Sequence, residues 1–181
     1  LIVPGHDGTT PSDESAEPDR EFVSEPAKVM RVGSMIKQLL DEQAIGRPLS
    51  VHASWGEYLP GWHPWEDYRR SYAARPDLGG GVVLTLCHPL DYLHWLLGEV
   101  ESLWALTSRE GLGLEVEDTA EIGLRFKNGA VGGVQLDYLQ RPPHHTLRIV
   151  GTEGTIVWDN ADGAVRLARG TGDGKAGAWQ T

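Results

Sequence analysis

Apolar residues recur at helical spacing in two stretches of this chain and alternate with polar ones in seven others. Between Ala27 and Gln43, Val29, Val32, Ile36, Leu39 and Leu40 fall on one side of a predicted helix, interrupted by Gly33 and stopped by Gly46. A second helical face gathers Leu86, Leu90, Leu93 and Leu97, leaving His88, Asp91, Tyr92 and Trp95 on the opposite side. The period changes to two from Leu49 to Leu59, where Val51, Ala53 and Trp55 stand opposite Ser50, His52 and Ser54. Further strands are predicted at Val100–Arg109, Asp118–Phe126, Ala130–Leu139, Thr146–Val150, Thr155–Trp158 and Val165–Ala168. The run Val82 to Leu86 also reads as strand-like. Lys127-Asn128-Gly129 supplies a hairpin turn. These connections are too short for helical crossovers, so the second half is expected to be an antiparallel meander. The whole is expected to be α+β, a mostly antiparallel open sheet with helices on one face.

Outside that pattern, residues 1–26 are rich in Pro, Asp, Glu, Ser and Thr and read as a flexible segment. Residues 27–169 form the expected domain, and the Gly-rich stretch 170–181 reads as a flexible tail cut from a larger unit. A chain of 181 residues that is 40% hydrophobic and 23% charged suits one well-buried domain. Its net charge of −10 argues against nucleic acid as a partner. No apolar run reaches the length of a membrane span and no signal peptide is visible, so no membrane partner is expected. A single cysteine, Cys87, excludes an internal disulfide and suits a reduced, cytoplasmic setting. No lysine or arginine adjoins it, so it is expected to be a buried structural thiol.

The chemistry concentrates in LGGGVVLTLCHPLDYLHWLLG, Leu78 to Gly98. Pro89 fits a first helical turn, which predicts His88 at the N-cap and Asp91 as the third helical residue. Partial positive charge at a helix N-terminus disfavours imidazolium, so the placement predicts a neutral His88 able to accept a proton from an alcohol. A capping histidine and a dipole-favouring aspartate are the plainer reading of the same pair. Upstream, Trp62, His63, Trp65, Tyr68, Arg69 and Arg70 crowd one segment. Aromatic faces stack on sugar rings and arginines fork onto carboxylates or phosphates, so this segment is a candidate wall for a polar, ring-shaped ligand; packing of a long loop explains it equally well. His144-His145 lacks further Cys or His at ligand spacing, so it reads as loop and no metal is expected. No GxGxxG opens a helix after a strand and no GxxxxGK[ST] occurs, so no Rossmann domain is visible in this chain.

Five stretches in unbroken order carry a family resemblance: IKQLLDEQAIGRPLSV, WHPWEDYRRSY, DLGGGVVLTLCHPLDYLHWLLGEV, VEDTAEIGLRFKNGAVGGVQLDY and LRIVGTEGTIVWD. Together they resemble the C-terminal domain of the Gfo/Idh/MocA family of NAD(P)-dependent oxidoreductases, which act on sugars, cyclitols and related polyols. The resemblance implies an α+β domain that supplies the substrate site and the oligomer interface, beside a nucleotide-binding domain located elsewhere. It implies that His88 relays the proton of the substrate hydroxyl and that Asp91 is the acid that follows it by three. Thr85 stands where members often carry an aspartate, and the family's lysine belongs to the nucleotide domain. Asp91 and Thr85 by this likeness, and Trp62, His63, Trp65, Tyr68 and Arg69 by their residue types, are expected to line the substrate site. NAD or NADP is expected in the complete enzyme, with none bound by this chain alone, which is then inactive by itself. A homo-oligomer is expected through the sheet face, where Trp104, Leu106, Ile122, Leu124, Val134 and Leu136 exceed what one helical layer covers. A non-catalytic sugar-binding or regulatory module and an NAD-dependent glycosidase are the alternatives.

Overall fold

The structure is a computed structural model that describes residues 25–170 and 177–181, with side chains from Arg31 onward. Three helices, α1 (Glu25–Asp41), α2 (Val82–Thr85) and α3 (His88–Leu97), accompany seven strands. These are β1 (Pro48–Tyr58), β2 (Val100–Ser108), β3 (Thr119–Phe126), β4 (Val131–Asp137), β5 (Leu139–Gly151), β6 (Gly154–Asp159) and β7 (Val165–Arg169). Residues 59–78 are a succession of single helical turns. Most of the segment predicted to be flexible at the start, and residues 171–176 of the tail, lie outside the described residues. Within the tail, Gln180 exchanges both backbone hydrogen bonds with Leu167 on β7 at 2.8 Å.

One sheet holds all seven strands in the order β2-β3-β4-β1-β5-β6-β7. The sheet is open and mostly antiparallel, as expected, but the meander is interrupted: β1 lies between β4 and β5, parallel to the first and antiparallel to the second. The crossover that a parallel pair requires is supplied by the whole stretch from 59 to 130, which carries α2, α3 and the β2–β3 hairpin. β1 joins the centre because its inward residues are apolar. Val51, Ala53 and Trp55 are paired with Gly132, Val134 and Leu136 on one side and Ile149, Leu147 and His145 on the other.

Alternation then divides the two faces. Ile122, Leu124, Val134, Leu136, Val51, Ile149 and Ile156 point toward α1 and α3, where Ile36 and Leu93 are fully buried. Each such side chain contributes about 1.5–3 kcal/mol relative to exposure. Gly33, an apparent flaw in α1, is where Trp95 of α3 crosses: a Cβ there would lie 3.0 Å from the indole. Among the described residues no helix covers the opposite face. His52 is exposed there, and the Trp104 indole lies so close over Gly123 that a Cβ would lie 2.0 Å from its Nε1. Of the six apolar residues expected on an open face, Ile122, Leu124, Val134 and Leu136 are buried under the helices, whereas Trp104 and Leu106 are 59% and 68% exposed.

The strand-like run Val82–Leu86 is instead the one-turn helix α2 and its cap. Glu117 decides this: its backbone oxygen accepts from the Val82 N–H at 3.0 Å and its Oε1 from the Val83 N–H at 3.2 Å. Donors that a helix start leaves unpaired are thereby satisfied. Gly81, at φ 112°, is required because any Cβ would fall 2.4 Å from the Glu117 carboxylate.

Candidate active site

Helix α3 starts one residue earlier than its sequence predicts. Cys87 is the N-cap, in helical conformation, and its carbonyl accepts from the Leu90 and Asp91 N–H groups. His88 therefore begins the helix itself, with an exposed imidazole, and Asp91 sits exposed in the first turn. The Cys87 thiol is exposed as well, not buried. Tyr92 does not share the open side with His88. It is buried with Pro89, Leu93, Leu96 and Leu97 where α1 crosses α3, and burial pushes its phenol well above the ordinary tyrosine value.

Beneath His88 lies Trp55 of β1, with ring centroids 5.2 Å apart and planes tilted by 49°. The same indole is stacked on His145 of β5 at 3.8 Å and 13°. His145 and Trp55 are register partners across the β1–β5 ladder, which fixes the stack. The His145 ring is held from both ends. Its Nε2 lies 2.8 Å from Glu57 Oε1, and its Nδ1 lies 3.4 Å from the Asn160 amide nitrogen. Asn160 also accepts from the His145 backbone N–H at 2.9 Å and donates its own N–H to the His145 carbonyl at 3.0 Å. Next along β5, His144 pairs with Asp159 at 3.0 Å. The two histidines that read as loop are thus strand residues, because the apolar alternation of Leu147 and Ile149 extends backward through His145. Among the described residues no three of His, Cys, Asp and Glu converge as metal ligands.

Glu57 and His145 open onto a cavity of about 710 Å³, lined also by Val32, Met35, Trp158 and Asn160. That volume falls within the range of small-molecule sites, roughly 300–1,000 Å³. Thr85 stands apart from this stack: its hydroxyl is buried without a hydrogen-bond partner, beside Tyr138. The Tyr138 phenol, itself raised by burial, donates to the Ala73 carbonyl at 3.3 Å.

Residues of the aromatic segment are tied chiefly to one another. Trp62 meets Tyr138 edge-on at 5.9 Å, His63 lies 5.3 Å from Trp65, and the Arg69 guanidinium sits 4.6 Å over Tyr68. Asp67 accepts from the Arg69 N–H at 3.1 Å, and Trp65 is 80% exposed. No hydrogen bond or ring contact joins Trp62, His63, Trp65, Tyr68 or Arg69 to His88. The structure instead gathers His88 with Trp55, His145, Glu57 and Asn160, four residues that the sequence reading left out. A signal for two of them was present: Glu57 continues the inward period of Val51, Ala53 and Trp55, and an acid on a core face calls for a buried partner.

An ordered match to a family model covers residues 34–157 and is that of the GFO/IDH/MocA C-terminal domain. The chain belongs to this family. A second model, of the bacterial proteasome activator, matches residues 5–49, of which residues 5–24 lie outside the described residues. Levoglucosan dehydrogenase of Pseudarthrobacter phenanthrenivorans is 29% identical, with 70% of this chain and 38% of that protein covered. D-apiose dehydrogenase of Rhizobium rhizogenes is also 29% identical, covering 67% of this chain and 35% of its own. A solved levoglucosan dehydrogenase in complex with NADH superposes with a TM-score of 0.71 at 25% identity, over 86% of this chain and 45% of that one. The GFO/IDH/MocA chain described here thus spans less than half the length of these relatives.

Gly80 and Gly81 offer no open phosphate cradle. The glycines best placed to cradle phosphate are filled by the chain itself: a Cβ at Gly80 would lie 2.5 Å from the Tyr72 carbonyl oxygen, and one at Gly81 would strike Glu117. No helix of the described residues is long and apolar enough to cross a membrane.

Proposed function

We propose that residues 27–169 are the substrate-binding half of an NAD(P)-dependent oxidoreductase acting on a sugar, cyclitol or related polyol, with His88 as the base that takes the substrate hydroxyl proton. The observation that carries this reading is an exposed imidazole at the start of α3, in tilted contact with the Trp55 indole that stacks on His145, whose partner Glu57 opens onto a cavity of about 710 Å³ that His88 itself does not line. Relatives named for sugar dehydrogenases support the substrate class. The hydride acceptor belongs to a separate nucleotide-binding domain.

In this chain the parts divide simply. Trp55, buried between the His88 and His145 rings, props the two imidazoles in place. His88, exposed and fixed by the helix that it begins, receives the proton as the carbon is oxidised. Asp91 and Thr85 flank it in sequence, and the 59–78 segment, with Trp62, His63, Trp65, Tyr68 and Arg69, forms an outer wall that contributes less to affinity. In the complete protein with its nucleotide domain, His88→Ala lowers polyol-dependent nicotinamide reduction by about 10²–10⁴-fold, the range of a lost general base. Unchanged turnover removes the base.

One observation favours a second reading, a sugar-binding module without redox chemistry: Thr85 offers a hydroxyl where a carboxylate would assist the base. A sugar that raises the melting temperature of the complete protein while no nicotinamide is reduced with any polyol selects that reading.

A second copy of the chain is proposed to cover the bare sheet face at Trp104 and Leu106. Sedimentation at high protein concentration then gives a species larger than the monomer, and Trp104→Glu returns it to the monomer. The lone cysteine supports a cytoplasmic location.

A further inference from the structure

We infer that His145 is the positioning residue of the proposed base: its ring, clamped at both nitrogens, fixes the Trp55 indole on which the His88 imidazole rests. The inference rests on the proposed role of His88 and adds to it the residue that sets the orientation of the base.

His88 needs such support. Its imidazole is exposed at the first residue of α3, and among the described residues no hydrogen bond reaches either ring nitrogen. A histidine base is ordinarily oriented by a hydrogen bond to its second nitrogen, and it works only when held within about 0.5 Å and 10–20° of the productive geometry. Here a ring contact takes that place. His88 meets Trp55 at 5.2 Å between centroids and 49° between planes, inside the range of about 4.5–7 Å over which aromatic pairs attract. The indole is itself buried, so whatever orients it lies within the core.

That neighbour is His145. The two rings stack at 3.8 Å and 13°, and the residues are register partners on adjacent strands, so the ladder fixes their spacing. A leucine would fill this inward position, as Leu147 and Ile149 fill the next two. Histidine brings instead two ring nitrogens, each of which must find a partner when buried. Both find one. Asn160 accepts the His145 backbone N–H through Oδ1, which leaves its Nδ2 facing the ring Nδ1 at 3.4 Å. Nε2 therefore carries the ring proton and donates it to Glu57 Oε1 at 2.8 Å. Partners at opposite ends of a flat ring hold its plane, and a satisfied polar network of this kind specifies one arrangement. The plane of His145 sets Trp55 by stacking, and Trp55 sets His88 by the tilted contact.

The test compares His145→Leu, which fills the position without a flat ring, with His145→Phe, which keeps the flat ring and loses both hydrogen bonds. In the 181-residue chain, magnetic resonance follows the His88 Hε1 signal, which the Trp55 ring current displaces. His145→Leu is expected to move that signal most of the way to its value in an unstructured chain, and His145→Phe to leave it close to wild type. In the complete protein with its nucleotide domain, His145→Leu is expected to lower kcat by about 10–100-fold with KM changed less than about twofold, the scale of a misplaced reacting group, while His145→Phe stays within about threefold of wild type. A purely structural role would make both variants lose kcat in step with their melting temperatures. Asn160→Ala, which removes the Nδ1 partner without touching the ring, is expected to move Hε1 in the same direction and decides the matter if His145→Leu does not fold. An unmoved His88 signal in His145→Leu or, failing that, in Asn160→Ala overturns the inference. So does wild-type kcat in His145→Leu, or an equal loss in His145→Phe. Unchanged turnover in His88→Ala ends the base reading instead, a result distinct from an unmoved ring because the ring signal is read without substrate.

Discussion

The aromatic segment 59–78 and the β1–β5 ladder carry the same residue types, tryptophan, histidine, arginine and acid, yet hold them differently. In the segment, Trp65 stands 80% exposed and Arg69 folds back on its neighbour Tyr68. On the ladder, Trp55 is 6% exposed and its partners come from residues far along the chain, His145 by stacking and His88 by a tilted ring contact. Local contacts within a loop place side chains only relative to one another. Contacts across strands place them relative to the whole fold, which a site needs when two groups must meet one substrate.

The sharpest way to break that contrast is a pair of tryptophan substitutions read by chemical denaturation. Trp55→Ala is expected to cost about 3–5 kcal/mol, the range for removing a large buried aromatic. Trp65→Ala is expected to change stability by less than about 0.5 kcal/mol, as for surface substitutions. If the two costs are alike, the segment is as rigidly built as the ladder. A smaller effect is expected where the two regions touch. Tyr138, at the β4–β5 crossing, donates to Ala73, so Tyr138→Phe should cost about 1 kcal/mol and speed proteolytic cleavage within 59–78. Unchanged cleavage would mean that the segment does not rely on this anchor.

The smallest effect is a pH dependence at the ladder's rim. The Asp159 carboxyl is held below its ordinary value of 3.8, chiefly by the Ala161 backbone N–H and then by His144. A carboxyl depressed in the folded state stabilises the fold above the unfolded value and loses that contribution as pH falls through the folded one. Wild type should therefore lose more stability than Asp159→Asn as pH drops below about 4. Parallel losses in the two proteins would remove Asp159 from the ladder's support.

Strand and helix identities were legible because period-two and helical alternation are written in Val51, Ala53 and Trp55 and in Leu93 and Leu97. The position of β1 was not. Alternation states which way a side chain faces and is silent on which strand lies beside it, so the parallel pairing with β4 had no local trace. Pro89 marks a first turn and so places the start of α3 to within one residue, with Cys87 rather than His88 as the N-cap. Helix α2 escaped because its decisive donor partner, Glu117, lies 34 residues away. Tyr92 escaped for a related reason: the helix that buries it is α1, whose crossing at Gly33 resembled a defect. Glu57 and His145 each looked ordinary alone, and only their meeting across 88 residues gives them a role.

Placing β1 at the centre of the sheet also orders events on the ribosome. Both of its flanking strands are made after residue 130, so this apolar strand emerges long before anything can pair with either edge. Until then it is an unprotected template for association with another chain, and closure of such distant pairings is slow. Synthesis of this polypeptide should therefore depend on something that shields the early strand, and its yield in a cell should respond to chaperone supply more steeply than its final stability would indicate.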